Sequence, residues 1–151
     1  MTKLLIIVVS ALVWTSLWAQ SAGQTGIGFM FGNPTGLSAK KWTSDTQAID
    51  AGVAMSIGRN TNFSLHSDYL WHSKDYLYFQ DETPLDLYYG LGGRMEFADN
   101  IELGLRLPIG VAHNFATSQA DFFAEIAPIL DFIDAKGVEV HLAVGARYYF
   151  N

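Results

Sequence analysis

From residue 25 onward, apolar and polar residues alternate with a period of two, the mark of strands whose two faces meet different surroundings. Ile49, Ala51, Val53, Met55 and Ile57 share one face; Asp50, Gly52, Ala54 and Ser56 share the other. Further along, Ile101, Leu103, Leu105, Leu107, Ile109 and Val111 oppose Glu102, Gly104, Arg106, Gly110 and Ala112. The stretch from Val138 to Phe150 repeats the pattern, with Glu139, His141, Ala143, Gly145, Arg147 and Tyr149 on its mixed face. Broken at Gly, Asn, Asp and Ser clusters, the alternation predicts eight strands near 25–31, 37–43, 48–57, 61–72, 85–97, 101–112, 121–132 and 138–150. The longest predicted connections are 73–84 and 113–120. Pro108 and Pro128 fall inside strands, where proline removes a ladder hydrogen bond, so bulges are expected there.

The composition of the mixed face selects the architecture. A soluble sandwich or barrel turns its polar face to water and dresses it in Lys, Glu, Thr and Ser. Here that face is Gly, Ala and isolated charges, with lysine downstream only at positions 40, 41, 74 and 136. Small residues with spaced Arg and Glu suit a narrow closed lumen, and an unbroken apolar face suits lipid. An open edge in hydrocarbon would leave backbone groups unpaired at several kcal/mol each, so the sheet must close. Eight strands make the smallest common closed size, filled by side chains. The expectation is an all-β fold, a single eight-stranded antiparallel transmembrane β-barrel of the outer membrane. Trp42, Tyr69, Trp71, Tyr88, Tyr89, Phe97, Phe122, Tyr148 and Phe150 lie toward strand ends, where girdles meet the head groups.

The rest of the chain narrows the picture further. Met1-Thr2-Lys3, the apolar run from Leu4 to Trp18 and Ala19 read as a cleavable signal peptide over 1–19, leaving 20–151 as the barrel domain. At 151 residues one domain is expected. Half the residues are hydrophobic and 16% charged, below the ~25% of ordinary soluble domains, which argues against disorder. A formal charge of −6 without a basic patch argues against nucleic acid as a partner. The absence of cysteine excludes disulfides, thiolate metal sites, Cys nucleophiles and lipoprotein acylation.

Several segments carry a resemblance: 28–42 (Gly-Phe-Met-Phe-Gly-Asn-Pro-Thr-Gly-Leu-Ser-Ala-Lys-Lys-Trp), 48–54, 66–72, 88–94, 106–111, 125–128 and 144–150 (Val-Gly-Ala-Arg-Tyr-Tyr-Phe). Over Gly26 to Phe150 the chain is similar to a group of small bacterial outer-membrane β-barrel proteins best represented among spirochaetes. The resemblance implies that fold and location and no established activity; some relatives have been proposed to bind host proteins at the surface. A final strand ending in Phe is the signal read by barrel-insertion machinery, and here one Asn follows Phe150.

Chemistry-capable residues divide by parity. Asp50, His66, Asp68, Arg94, Glu96 and Glu102 are placed in the lumen, with Arg106, Glu125, Glu139, His141 and Arg147. Three arginines facing these carboxylates predict a salt-bridge network that plugs the barrel, since unpaired buried charges are costly. A narrow pore is the alternative reading, and a lipid-modifying enzyme the next. Catalysis would need a nucleophile, a base and an acid within reach. Alternation puts His66 and Ser67 on opposite faces, so no enzyme is expected. The four histidines lack a His-x-His or HExxH spacing, so no metal site or other cofactor is predicted. Gly90-Leu91-Gly92-Gly93 lies mid-strand without a following Lys-Ser/Thr, which argues against a phosphate loop.

With both barrel ends in the periplasm, the segments 73–84 and 113–120 face inward, against the usual rule of short periplasmic turns. Segment 73–84 concentrates Tyr76, Tyr78 and Phe79 beside Asp75, Asp81 and Glu82, the composition of a contact surface. The expected partners are outer-membrane lipid, the insertion machinery, and a surface or periplasmic protein docking there.

Overall fold

The computed structural model describes residues 22–56, 61–79, 83–115, 118–133 and 137–150. The predicted signal peptide and Asn151 lie outside these residues. The described chain is all-β. Its strands are β1 (Thr25–Asn33), β2 (Thr35–Trp42), β3 (Gln47–Ser56), β4 (Asn62–Phe79), β5 (Thr83–Phe97), β6 (Ile101–Arg106), β7 (Ile109–Phe115), β8 (Ala120–Ile133) and β9 (Val138–Phe150). Apart from β6 and β7, strands that follow one another in the chain pair antiparallel, and β1 also pairs with β9 from Thr25↔Phe150 to Asn33↔Leu142. That seam closes the sheet into a ring. The segments β6 and β7 lie end to end between β5 and β8, so nine segments make a ring of eight strands.

Two expectations about strand boundaries need correcting. Segment 73–84 is mostly strand rather than connection. Leu77↔Leu85 and Phe79↔Thr83 continue the β4–β5 ladder after an irregularity beyond Ser73. On the far side of β4, β3 stops pairing at Gln47↔Trp71, and on the far side of β5, β7 stops at Asp86↔Ala112. The hairpin therefore runs on past the rim as a two-stranded ribbon, at the end of the ring where β1 begins and β9 finishes. Segment 113–120 shortens likewise, because β7 extends to Phe115.

The prolines behave differently from the expected bulges. Pro108 interrupts the strand, yet Gly92↔Arg106 and Tyr89↔Ile109 keep one register across the gap, as do Arg106↔Ile129 and Ile109↔Ile126. Neighbouring strands bridge the break through their own amides and carbonyls: Gly90 N donates to Pro108 O at 2.8 Å and Leu107 N to Pro128 O at 3.0 Å. Pro128 sits in an unbroken ladder with β9. The register shift on this side lies between Leu103 and Gly104 instead.

Alternation holds around the ring. Phe29, Val53, Leu65, Leu91, Leu105, Ile109, Leu142 and Val144 stand on the exposed outer face. The interior takes the other parity: Met30, Ala48, Ala54, Leu70, Ala127 and Ile129 are buried there among many charges. Two glycines allow a close approach of neighbouring side chains. A Cβ on Gly52 would lie 2.2 Å from His66 Cε1, and one on Gly92 would lie 2.0 Å from Asp68 Oδ1.

Candidate functional site: the charged interior

The inward-facing polar side chains fall into three groups along the ring. Near the end where β5 finishes and β9 begins, Arg94 of β5 gathers carboxylates from four strands. Its Nη1 donates to Glu96 Oε2 at 2.6 Å and Glu139 Oε2 at 2.8 Å, and its Nη2 to Asp131 Oδ1 at 2.7 Å. Glu102 Oε2 lies 3.7 Å from Nη2. Asn62 Nδ2 donates to Glu96 Oε1 at 2.7 Å. His141 is buried, and its Nε2 lies 3.4 Å from Glu139 Oε1 without a well-formed hydrogen bond.

In the middle, Arg106 bridges Asp68 through Nη1 and Glu125 through Nη2. Tyr88 donates its hydroxyl to the other Glu125 oxygen at 2.9 Å. Asp50 stands directly across from Asp68 in the β3–β4 ladder, and His66 is two residues from Asp68 on the same face. Asp50, His66 and Asp68 can each offer one ligand atom, all within 4.8 Å of one another.

At the other end Arg147 Nε donates to Asp121 Oδ1 at 3.1 Å, and Tyr149 donates to Asp121 Oδ2 at 2.7 Å. The guanidinium carbon of Arg147 lies 4.1 Å from the Phe123 ring centre. Beside it Lys40 Nζ lies 2.8 Å from His72 Nε2 and 4.5 Å above the Trp42 ring. The His72 ring stacks on Tyr88 at 5.0 Å. Long cations and large aromatic side chains therefore fill the space that a wider sheet would leave to water.

The structure thus turns all eleven sequence-selected polar residues inward, but not in one network. Arg94 meets Glu96, Glu102 and Glu139, and Arg106 meets Asp68 and Glu125. Arg147 meets Asp121, which the sequence reading had not selected. Lys40, His72, Asp86 and Asp131 were missed as well, although each carries the inward parity of its strand. Trp42 and Tyr88, expected in the outer girdle, are buried inside. Tyr69, Trp71, Tyr89, Phe122, Tyr148, Phe97 and Phe150 do stand outward, with Trp71 stacked on Tyr89 at 5.8 Å. His66 points inward and Ser67 outward, with Ser67 Oγ donating to Asp50 O at 3.0 Å. On the ribbon, Tyr78 is 59% exposed; the side chains of Tyr76 and Phe79 lie outside the described residues.

Comparison with known family models, curated proteins and solved structures found no match to this chain.

Proposed function

We propose that the ring is an outer-membrane β-barrel, of the small spirochaete type, whose lumen is sealed by its own side chains and whose role is structural or partner-binding, without catalysis. The inverted partition of residues carries this reading. Charges lie inside, while Phe29, Phe31, Phe122, Leu142 and Val144 remain 57–60% exposed on the outer face. Soluble monomers rarely leave an apolar patch of more than a few hundred Å² in water, whereas hydrocarbon asks for such a face and for a closed sheet. The ion pairs of Arg94, Arg106 and Arg147 support a plug over a pore. Insertion would proceed through β9, which ends at Phe150, and lipid would be the main partner.

Folded barrels migrate anomalously on SDS gels until boiled, so heat-modifiable migration of the membrane fraction is the expected result. A detergent-independent soluble monomer would overturn the reading. Leu91 stands at the middle of the β5 ladder and faces outward. Leu91→Arg should cost about 2–4 kcal/mol in urea titrations of the protein folded into vesicles. Large, stable conductance in planar bilayers would replace the plug with a pore.

The ribbon is the surface proposed for a protein partner. It projects at the end where β1 begins and β9 finishes, which is the periplasmic end in barrels of this type. A partner using Tyr78 would then be periplasmic. An epitope inserted after Lys74 should label only in permeabilised cells; labelling of intact cells would move the ribbon, and its partner, to the surface.

A further inference from the structure

The middle of the interior holds an arrangement that the ion-pair network does not account for. Asp50 and Asp68 face each other across adjacent strands, where like charges repel. Both carboxyls are at least nine-tenths buried, and the Oδ1 atom of each has no hydrogen-bond partner. Unpartnered buried carboxylate oxygens are uncommon and expensive. Lys40, the cross-strand neighbour of Asp50 on β2, turns its Nζ toward His72 instead. Arg106 takes only the Oδ2 side of Asp68. That one guanidinium is shared by Asp68 and Glu125, with Asp50 directly across the ladder from Asp68.

We propose that Asp50, His66 and Asp68 form a three-ligand site for one divalent first-row ion of the Zn²⁺ or Mn²⁺ kind. Imidazole nitrogen with carboxylate oxygen is the donor set such ions take. A tetrahedral ion holding its ligands at about 2.1 Å spaces them by about 3.4 Å, so these atoms, already within 4.8 Å of one another, would need to draw in by about 1 Å. The surroundings fit as well. The guanidinium of Arg106 orients the Asp68 carboxyl from behind, as outer partners of metal ligands do. Gly52 and Gly92 leave the room in which the His66 ring and Asp68 Oδ1 sit. The ion would tie β3 to β4 at the centre of the lumen, and the site depends only on the interior, whatever surrounds the ring outside.

The test uses the full chain folded in detergent, stripped with chelator, desalted and titrated with Zn²⁺ and separately Mn²⁺. Calorimetry and metal analysis should give one ion per chain. Asp50→Asn and His66→Gln should each weaken binding about tenfold or more. His113→Asn, which alters a histidine on the outer parity of β7, should leave binding unchanged. No retained metal, as expected if Asp50 and Asp68 merely share a proton, would overturn the proposal. Binding that survives both interior substitutions, or falls with His113→Asn, would overturn it too. Co²⁺ added to the native chain supplies a readout independent of variant folding. Visible d–d bands of a low-symmetry nitrogen and oxygen site are expected, and their absence counts against the site.

Discussion

The two ends of the interior handle buried charge in different ways. At the Arg94 end one guanidinium is divided among carboxylates from four strands, and the Glu139 side chain keeps 40% exposure. At the Arg147 end Asp121 has none of its side-chain surface exposed and is held between Arg147 and the Tyr149 hydroxyl, with Phe123 beneath the guanidinium. An open cluster can exchange a lost partner for water. An enclosed pair cannot, and removal of one member strands the other in an apolar setting. Enclosure, more than the number of ion pairs, should therefore set what each arginine is worth.

Substitutions of comparable size test that difference. Arg147→Met should have the largest effect, about 3–5 kcal/mol in equilibrium unfolding from vesicles, because fully buried Asp121 loses its ion-pair partner and keeps only the Tyr149 hydroxyl. Arg94→Met should cost less, about 1–3 kcal/mol, since the Glu139 side chain is 40% exposed and can turn to water while Glu96 retains Asn62. Equal losses at the two ends would break the comparison. Lys40→Met sharpens it: the cation lies over Trp42, and a methionine keeps that packing while removing the contact with His72. The expected change is about 2 kcal/mol, the size of a desolvated cation–π contact, since Lys40 is buried. A loss as large as that of Arg147→Met would show that Lys40 belongs to the Asp121 group.

Most of the fold was legible because a period of two is a strong local signal. Parity alone separated Leu103, Leu105 and Ile109 from Glu102 and Arg106, and the Pro108 break preserved it because the strand continues in register beyond. Trp42 and Tyr88 were misplaced for the opposite reason. Residue type and position near a strand end outweighed their parity, which matches that of Lys40 and Asp86. Asp121 and Asp131 lie two or more steps from Glu125 on the same face, so the signal existed there too. What the chain order hides is pairing across strands. Asp50 meets Asp68 only through the β3–β4 ladder, and a search for histidine spacings along one segment passes over a site built from two. The ribbon was obscured by the shift beyond Ser73, which spoils the alternation where the hairpin leaves its neighbours.

The seam between β1 and β9 sets the order in which such a molecule can be assembled. With β6 and β7 taken as one strand, every other pairing joins strands adjacent in the chain and can form as a hairpin with little loop entropy to overcome. The seam alone joins residues more than a hundred positions apart, so it is the last ladder available and the one that converts a curved meander into a closed wall. It also makes the starting point of the chain arbitrary in topological terms. Joining the two ends and opening the turn at 98–100 would yield a circular permutant with the same ladders, in which β5–β6 becomes the latch.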